Sequence, residues 1–110
     1  LYGGAGVDQL HGGTGNDVLD GQDDDDELFG NENNDTLYGG LGNDDMYGNA
    51  GDDEMRGSLG NDYMEGNDGD DTIYGDQGHD HLDGGAGYDY LNGGSGDDDC
   101  PNGEVVYNCP

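Results

Sequence analysis

Large apolar residues recur along this chain every nine residues, separated mostly by polar residues and glycine. The series is Leu10, Leu19, Leu28, Leu37, Met46, Met55, Met64, Ile73, Leu82 and Leu91. Such a fixed internal period is typical of solenoids built from stacked repeats. If each apolar residue is the middle of a short strand, it points away from its two neighbours. The pattern therefore predicts one internal ladder of side chains, a thin core that only stacked repeats can bury.

A nine-residue repeat accounts for this spacing. Cut from Gly3, the sequence gives eleven nonads that run to Pro101 without an insertion or deletion. Position one is Gly and position six is Asp in all eleven. Position four is Gly in nine, and the exceptions are Asp24 and Asn33, residue types that tolerate a left-handed backbone. A random acidic tail would not keep this register.

The composition indicates a fold that needs cations. The chain has 28 acidic residues, one basic residue, Arg56, a formal net charge of -27 and only 28% hydrophobic residues. Low hydrophobicity with high net charge is typical of disorder unless counter-cations bind. The charge excludes nucleic acids and anionic membrane surfaces as partners. No apolar run approaches the roughly 20 residues that membrane insertion needs.

The nonads resemble the RTX repeat G-G-x-G-x-D-x-U-x, in which U is a large apolar residue. The likeness extends over residues 3–101. It implies an all-β fold, a right-handed parallel β-roll (a β-solenoid) with two nonads per coil. It also implies that the first six residues of each nonad form a turn, that the last three form a strand, and that the ligand is calcium.

The invariant aspartates are the candidate calcium ligands. Ca²⁺ takes six to eight oxygen ligands at about 2.3–2.6 Å and accepts both carboxylates and carbonyls. Glycine lets carbonyls approach an ion, and Asp adds a short carboxylate. Two nonads per coil divide the turns into an odd and an even ladder, whose gaps predict about nine ions. The predicted ligands are Asp8, Asp17, Asp26, Asp35, Asp44, Asp53, Asp62, Asp71, Asp80, Asp89 and Asp98.

The two ends of the chain differ from the array. We expect residues 1–101 to form the repeat domain and residues 102–110 a degenerate C-terminal capping segment, with Val105, Val106 and Tyr107 closing the core. Cys100 and Cys109 both occupy position eight, so the predicted outcome is a disulfide across the last coil; the alternative is two buried thiols. The first two residues fit positions eight and nine of a preceding nonad, as a fragment or a polymer subunit would.

Positions seven and nine should face solvent. There Arg56 is expected between Tyr38 and Tyr74 in one column, at a strand spacing of about 4.8 Å that permits cation–π stacking. One hypothesis is that this face contacts another molecule, such as a second copy of the chain. The alternative is that these residues only favour strands. His79 and His81 form an H-x-H pair that is interpreted as variable positions, the alternative being a transition-metal pair. Glycosylation of the sequon at Asn34 stays open.

The sequence favours a non-enzymatic calcium-binding module, since no catalytic motif occurs in it. A metal-free chain of this charge repels itself, so calcium should convert it from disordered to rigid. A disulfide and a calcium requirement both indicate a secreted or cell-surface protein. Two roles remain: a structural repeat that associates end to end or through the Arg56 face into a filament or adhesive layer, or a folding and secretion module of an extracellular enzyme or toxin.

Overall fold

All regular structure in the computed structural model, which describes residues 1–109, is parallel β-strand. The prediction of an all-β fold is therefore confirmed. The strands are β1 (Tyr2–Ala5), β2 (Gln9–Thr14), β3 (Val18–Asp23), β4 (Glu27–Glu32), β5 (Thr36–Leu41), β6 (Asp45–Ala50), β7 (Glu54–Leu59), β8 (Tyr63–Asp68), β9 (Thr72–Gln77), β10 (His81–Ala86), β11 (Tyr90–Ser95) and β12 (Val105–Tyr107). None of the described residues forms a helix of the length and apolarity that a membrane crossing requires.

From β1 to β11, consecutive strands alternate between two sheets, and β12 lies beside β11. The seven-strand sheet has the order β1-β3-β5-β7-β9-β11-β12, and the five-strand sheet has the order β10-β8-β6-β4-β2. Paired residues such as Leu37 and Met55 lie eighteen positions apart, so one coil holds two nonads, as predicted. The described residues form a flat β-solenoid with extents of 32 × 27 × 12 Å.

The strands are longer than the resemblance implies. β4 covers positions seven to nine of one repeat and positions one to three of the next. Parallel pairing continues through those last three positions, as between Asn31 and Asn49. The prediction of a six-residue turn is therefore wrong, and the turn contains positions four to six alone. The reason is that strand pairing uses backbone groups, which glycine supplies as well as any other residue.

The predicted core ladder is confirmed. Nine of the ten position-eight apolar residues are fully buried, and Leu10, in the first coil, is 5% exposed. They form a single cluster against which Cys100 packs from the C-terminal end. Because the sheets are only one side chain apart, each coil contributes two apolar residues to the core, and every coil depends on its neighbours for burial.

Left-handed backbone marks two positions of every repeat. Positions two and four have positive φ throughout, and position four keeps it at Asp24 (φ 79) and Asn33 (φ 75). At position two the same conformation is held by non-glycine residues such as Asn49 (φ 79) and Ser58 (φ 86). The glycines at position one do not share it. Glycine is invariant at position one for a different reason: neighbouring atoms lie too close to it to leave room for a Cβ.

The C-terminal end departs from the coil pattern. The predicted disulfide is present between Cys100 and Cys109, whose Cα atoms lie 6.0 Å apart. β12 extends the seven-strand sheet beside β11. Of the residues expected to close the core, only Val106 pairs with a core residue, Leu91, and it is 42% exposed. Val105 and Tyr107 pair with the outward-facing Tyr90 and Asn92. Within residues 1–109, the five-strand sheet has no regular strand beyond β10, so no strand faces β12. The last residue of the predicted capping segment lies outside the described residues.

Candidate metal sites

Every position-six aspartate ends a turn, and all of them except Asp98 immediately precede a strand. The negative charge is thus brought to the boundary between the apolar core and the bend of the chain. Nine of these aspartates are 6% exposed or less, and Asp8 and Asp17, in the first coil, are half-buried. The nine buried ones are Asp26, Asp35, Asp44, Asp53, Asp62, Asp71, Asp80, Asp89 and Asp98.

One oxygen of these carboxylates connects neighbouring coils. The backbone N–H of Asp44 donates to Oδ1 of Asp62 at 2.9 Å, and that of Asp53 donates to Oδ1 of Asp71 at 2.8 Å. The same bond recurs along both ladders, always from a backbone N–H to the aspartate eighteen residues later. The odd and even ladders predicted from the sequence are therefore present as two columns of aspartates.

The other oxygen has no protein partner. Oδ2 is buried and without a hydrogen-bond donor in all eleven position-six aspartates. A buried carboxylate oxygen without a donor is costly, because it has lost water and gained nothing in return. A repeated defect of this kind indicates a group that binds there, and a cation is what a carboxylate oxygen accepts.

The position-one glycine lets two oxygens approach it closely. A Cβ at Gly66 would lie 2.1 Å from Oδ2 of Asp71 and 2.6 Å from the carbonyl oxygen of Gly84. Oδ2 of the aspartate in the same repeat makes an equivalent approach at every position-one glycine, and a backbone carbonyl oxygen does so at all of them except Gly57. Any larger residue at position one would therefore clash with the oxygens that a cation beside the turn would bind.

Burial dominates the electrostatics of the turns. It raises the pKa of Asp62 and Asp71 to about 7, with neighbouring carboxylates adding to the rise and the backbone hydrogen bond opposing it. For Asp44 and Asp53 the pKa is raised to about 6 for the same reasons. A bound divalent cation would lower these pKa values, because its positive charge stabilises the ionised carboxylates.

The donor set is mixed rather than carboxylate-rich. Within residues 1–109, no group of three or more Asp, Glu, His or Cys side chains converges as a metal cluster. A cation here would depend on one carboxylate oxygen and on backbone carbonyls. That combination fits Ca²⁺, which accepts many oxygens in an irregular arrangement, better than a transition metal, which prefers His or Cys.

Position five forms a second connection between coils, which the sequence interpretation missed. The N–H of Asn43 donates to Oδ1 of Asp25 at 2.7 Å, and the N–H of Asn61 donates to Oδ1 of Asn43 at 2.8 Å. These bonds run opposite to those of position six, from the later coil to the side chain of the earlier one. The sequence did carry a signal for these hydrogen bonds, because position five is Asn, Asp or His in nine of the eleven repeats.

Neither exposed histidine of repeat nine belongs to a metal cluster. Nδ1 of His79 accepts the N–H of Asp97 at 3.1 Å, as the position-five residue of its turn. Nδ1 of His81 lies 3.1 Å from Oδ2 of Asp99 on the outer face of the five-strand sheet. The two rings thus serve separate contacts, which agrees with their interpretation as variable positions.

The outer faces of both sheets carry aromatic rows. On the seven-strand sheet, Tyr38, Arg56 and Tyr74 are adjacent, as predicted. The Arg56 guanidinium lies 5.1 Å from the Tyr74 ring centroid, and its Nε lies 3.0 Å from Oδ2 of Asp76. On the five-strand sheet, an unforeseen row is stacked or tilted ring against ring, with centroids 4.7–6.2 Å apart. Its members are His11, Phe29, Tyr47, Tyr63 and His81.

Comparison with known families agrees with the geometry of the turns. A family model for the RTX calcium-binding nonapeptide repeat (4 copies) matches residues 2–37, 20–55, 29–64, 47–82 and 74–100. The matches overlap and together extend over nearly the whole array of turns and strands described above. A search of curated proteins found no match to the chain.

Proposed function

The chain belongs to the family of RTX calcium-binding nonapeptide repeats, and we propose that its eleven position-six aspartates bind the calcium ions between successive turns of each ladder. One observation carries the proposal: Oδ2 of each of these aspartates is buried without a donor. Each such oxygen lies against a position-one glycine, and in ten of the eleven repeats a backbone carbonyl oxygen approaches the same glycine. Calcium would supply the positive charge there, within a mixed oxygen set that it accepts.

The charge of the chain couples calcium binding to folding. The formal net charge is -27, and the folded state buries carboxylates that have no counter-ion among the side chains. Without cations the fold must either protonate these groups or bury their charge, and both disfavour it at neutral pH. About nine ions would reduce the charge to about -9. We therefore assign to calcium the role of a folding switch, from a self-repelling chain to a rigid solenoid.

Circular dichroism during a calcium titration tests the switch, with magnesium as the control cation. We expect a cooperative rise in β-structure with calcium, little change with magnesium, and reversal by a chelator. Magnesium should fail because it demands a compact octahedral site and gives up its water reluctantly. A chain that stays disordered at millimolar calcium would overturn the proposal, as would a β-sheet spectrum that survives exhaustive chelation.

We assign the module a non-enzymatic, structural role in a secreted or cell-surface protein. The Cys100–Cys109 disulfide supports this assignment, because disulfides persist in oxidising compartments. The outer face of the seven-strand sheet, where Tyr38, Arg56 and Tyr74 lie side by side, supports association into a filament or adhesive layer, through this face or end to end. The second candidate, a folding module of an extracellular enzyme or toxin, is favoured by the dependence of the whole fold on calcium.

Sedimentation with and without calcium separates these roles. The structural role predicts calcium-dependent assemblies of this chain alone, weakened by Arg56→Glu, which adds negative charge to the proposed contact face. His11→Glu, on the exposed face of the opposite sheet, is the control and should leave association unchanged. A calcium-folded chain that sediments as a monomer would overturn the association proposal and leave the folding module as the better candidate.

A further inference from the structure

We infer that residues 102–109 complete two additional calcium sites at the C-terminal end of the array, one on each ladder. This inference rests on the proposed function of the position-six aspartates. It concerns a segment beyond the matched repeats, which end at residue 100. The aspartates involved are Asp89, the last of the even ladder, and Asp98, the last of the odd ladder.

Within the array, the orphaned oxygen and a carbonyl from the next coil of the same ladder approach one position-one glycine in every repeat except that of Asp62. For Asp71, for example, that carbonyl belongs to Gly84. Asp89 and Asp98 have no further full repeat of their ladder within the described residues. Counting gaps between full repeats gives about nine ions and places none on the C-terminal side of these two aspartates. Their Oδ2 atoms are nevertheless buried and without donors, like the other nine.

On the even ladder, the terminal segment imitates another coil. A Cβ at Gly84 would lie 2.5 Å from Oδ2 of Asp89 and 2.5 Å from the carbonyl oxygen of Asn102. The N–H of Asp89 donates to Oε2 of Glu104 at 2.7 Å. Glu104 thus accepts the hydrogen bond that the next aspartate of the ladder accepts elsewhere. Its longer side chain reaches the N–H of Asp89 from a different backbone position. The N–H groups of Glu104 and Val105 donate to the Asp89 carbonyl at 3.1 and 3.0 Å and fix the segment.

On the odd ladder, the chain reaches the same geometry by another route. A Cβ at Gly93 would lie 2.5 Å from Oδ2 of Asp98 and 2.5 Å from the carbonyl oxygen of Asn108. Asn108 is outside the repeat register and arrives there after β12, in a left-handed conformation with φ 49. Asp98 is only 6% exposed, so its free oxygen points into the protein rather than to solvent.

The disulfide holds the odd terminal site together. Cys109 directly follows Asn108, and its bond to Cys100 ties that carbonyl to the repeat that contains Asp98. On the odd ladder, no side chain of residues 102–109 accepts the N–H of Asp98 as Glu104 accepts that of Asp89 on the even ladder. The affinity of one calcium site is therefore linked to the redox state of the two cysteines, and the affinity of its even counterpart is not.

Native mass spectrometry of the oxidised full chain, with calorimetry of calcium binding, tests the inference. We expect about eleven ions, matching the eleven orphaned oxygens. Gly84→Ala and Gly93→Ala should each lose one ion and keep the β-sheet spectrum, because the carbonyls that the added Cβ would displace, those of Asn102 and Asn108, lie beyond the last full repeat. Gly12→Ala is the matched control inside the array, where a Cβ would lie 2.6 Å from the Gly30 carbonyl oxygen.

The Gly12→Ala control distinguishes failure of the terminal sites from failure of the proposed function. If Gly12→Ala loses one ion while Gly84→Ala and Gly93→Ala lose none, the terminal sites are refuted and the proposed function stands. If Gly12→Ala also keeps every ion, the proposed function fails and the terminal sites fail with it.

A double variant, Cys100→Ser with Cys109→Ser, tests the link to the disulfide. One ion of the parent complement should then bind about tenfold more weakly or be lost. Adding Gly93→Ala to this variant should cost no further ion, whereas adding Gly84→Ala should cost one. Unchanged stoichiometry and affinity in the double variant would overturn the role assigned to the disulfide.

Discussion

The backbone N–H of Asp44 donates to Oδ1 of Asp62, eighteen residues later, and Oδ2 of Asp62 receives no donor. One carboxylate thus divides two tasks between its oxygens. Oδ1 fixes the spacing of successive coils, and Oδ2 remains free for a cation. The invariance of Asp at position six follows from this division, since neither a hydroxyl nor an apolar side chain performs both tasks.

Replacing Asp62 by Asn separates the two tasks. The amide keeps an acceptor for the N–H of Asp44 but replaces Oδ2 by a donor. We expect the variant to keep its fold in calcium and to bind one ion fewer by native mass spectrometry. The control is Asp68→Asn, which removes the same charge from an exposed position three. Equal loss of calcium in both variants would show that net charge, rather than the site, decides binding.

Position five contributes to stability through a side-chain acceptor that joins neighbouring coils. Asn43→Ala removes the acceptor for the N–H of Asn61, a bond of 2.8 Å. We expect the free energy of unfolding in saturating calcium to fall by about 1 kcal/mol, the net value of one such bond. Urea denaturation measures this change, and the ion count should not move. Tyr88→Ala is the matched control, because Tyr88 occupies position five but its side chain is 63% exposed; an equal loss there would contradict the assignment.

The thin core makes each of its side chains important. Met55 is fully buried between the sheets, and truncation to Ala should cost about 2–5 kcal/mol. Because folding and calcium binding are coupled, the calcium concentration at half-folding should also rise. Leu59→Ala removes a side chain of similar size that is 42% exposed, and it should cost much less. Similar urea midpoints for the two variants would contradict the assignment of Met55 to the core.

Acid should partly replace calcium as the folding agent. Burial raises the pKa of Asp62 and Asp71 to about 7, and that of Asp44 and Asp53 to about 6, from an ordinary value of about 3.9. The metal-free fold therefore binds more protons than the unfolded chain. Its stability is fully present below about pH 4 and is lost as the pH rises through about 6 to 7.

Circular dichroism of calcium-free protein should accordingly show β-structure increasing as the pH falls from about 7 to about 4. In the presence of calcium the direction reverses. Protons compete for the same carboxylates, so the calcium concentration at half-folding should rise on acidification. A metal-free spectrum independent of pH across this range would refute the first expectation, and a pH-independent calcium midpoint would refute the second.

The sequence alone predicts those features that depend on the same type of residue at the same position of each repeat. The apolar residue at position eight gave the core ladder, as with Leu37 and Met55, and the nine-residue register gave two repeats per coil. The paired positions of Cys100 and Cys109 gave the disulfide. Each of these follows from side-chain direction in a strand, which is fixed by the period alone.

Features that depend on backbone geometry were not predictable in the same way. Strand pairing through Asn31 requires no particular side chain, so the true strand length leaves little trace in the sequence. The role of Glu104 depends on the path of a segment with no repeat of its own, and so does that of the Asn108 carbonyl. Tyr107 is exposed for another reason: it pairs with Asn92, a position-nine residue, and its ring lies 5.6 Å from that of Tyr90 on the outer face.

The eighteen-residue hydrogen bonds between coils also determine how such a gene is able to change length. Duplication or deletion of one whole coil restores every bond and returns each downstream residue to its own sheet. A change of nine residues would instead move all downstream residues to the other sheet, and if it fell between Tyr38 and Arg56 it would separate these neighbours. The length that can be added or removed without disturbing the contacts on either side is therefore one coil rather than one nonad.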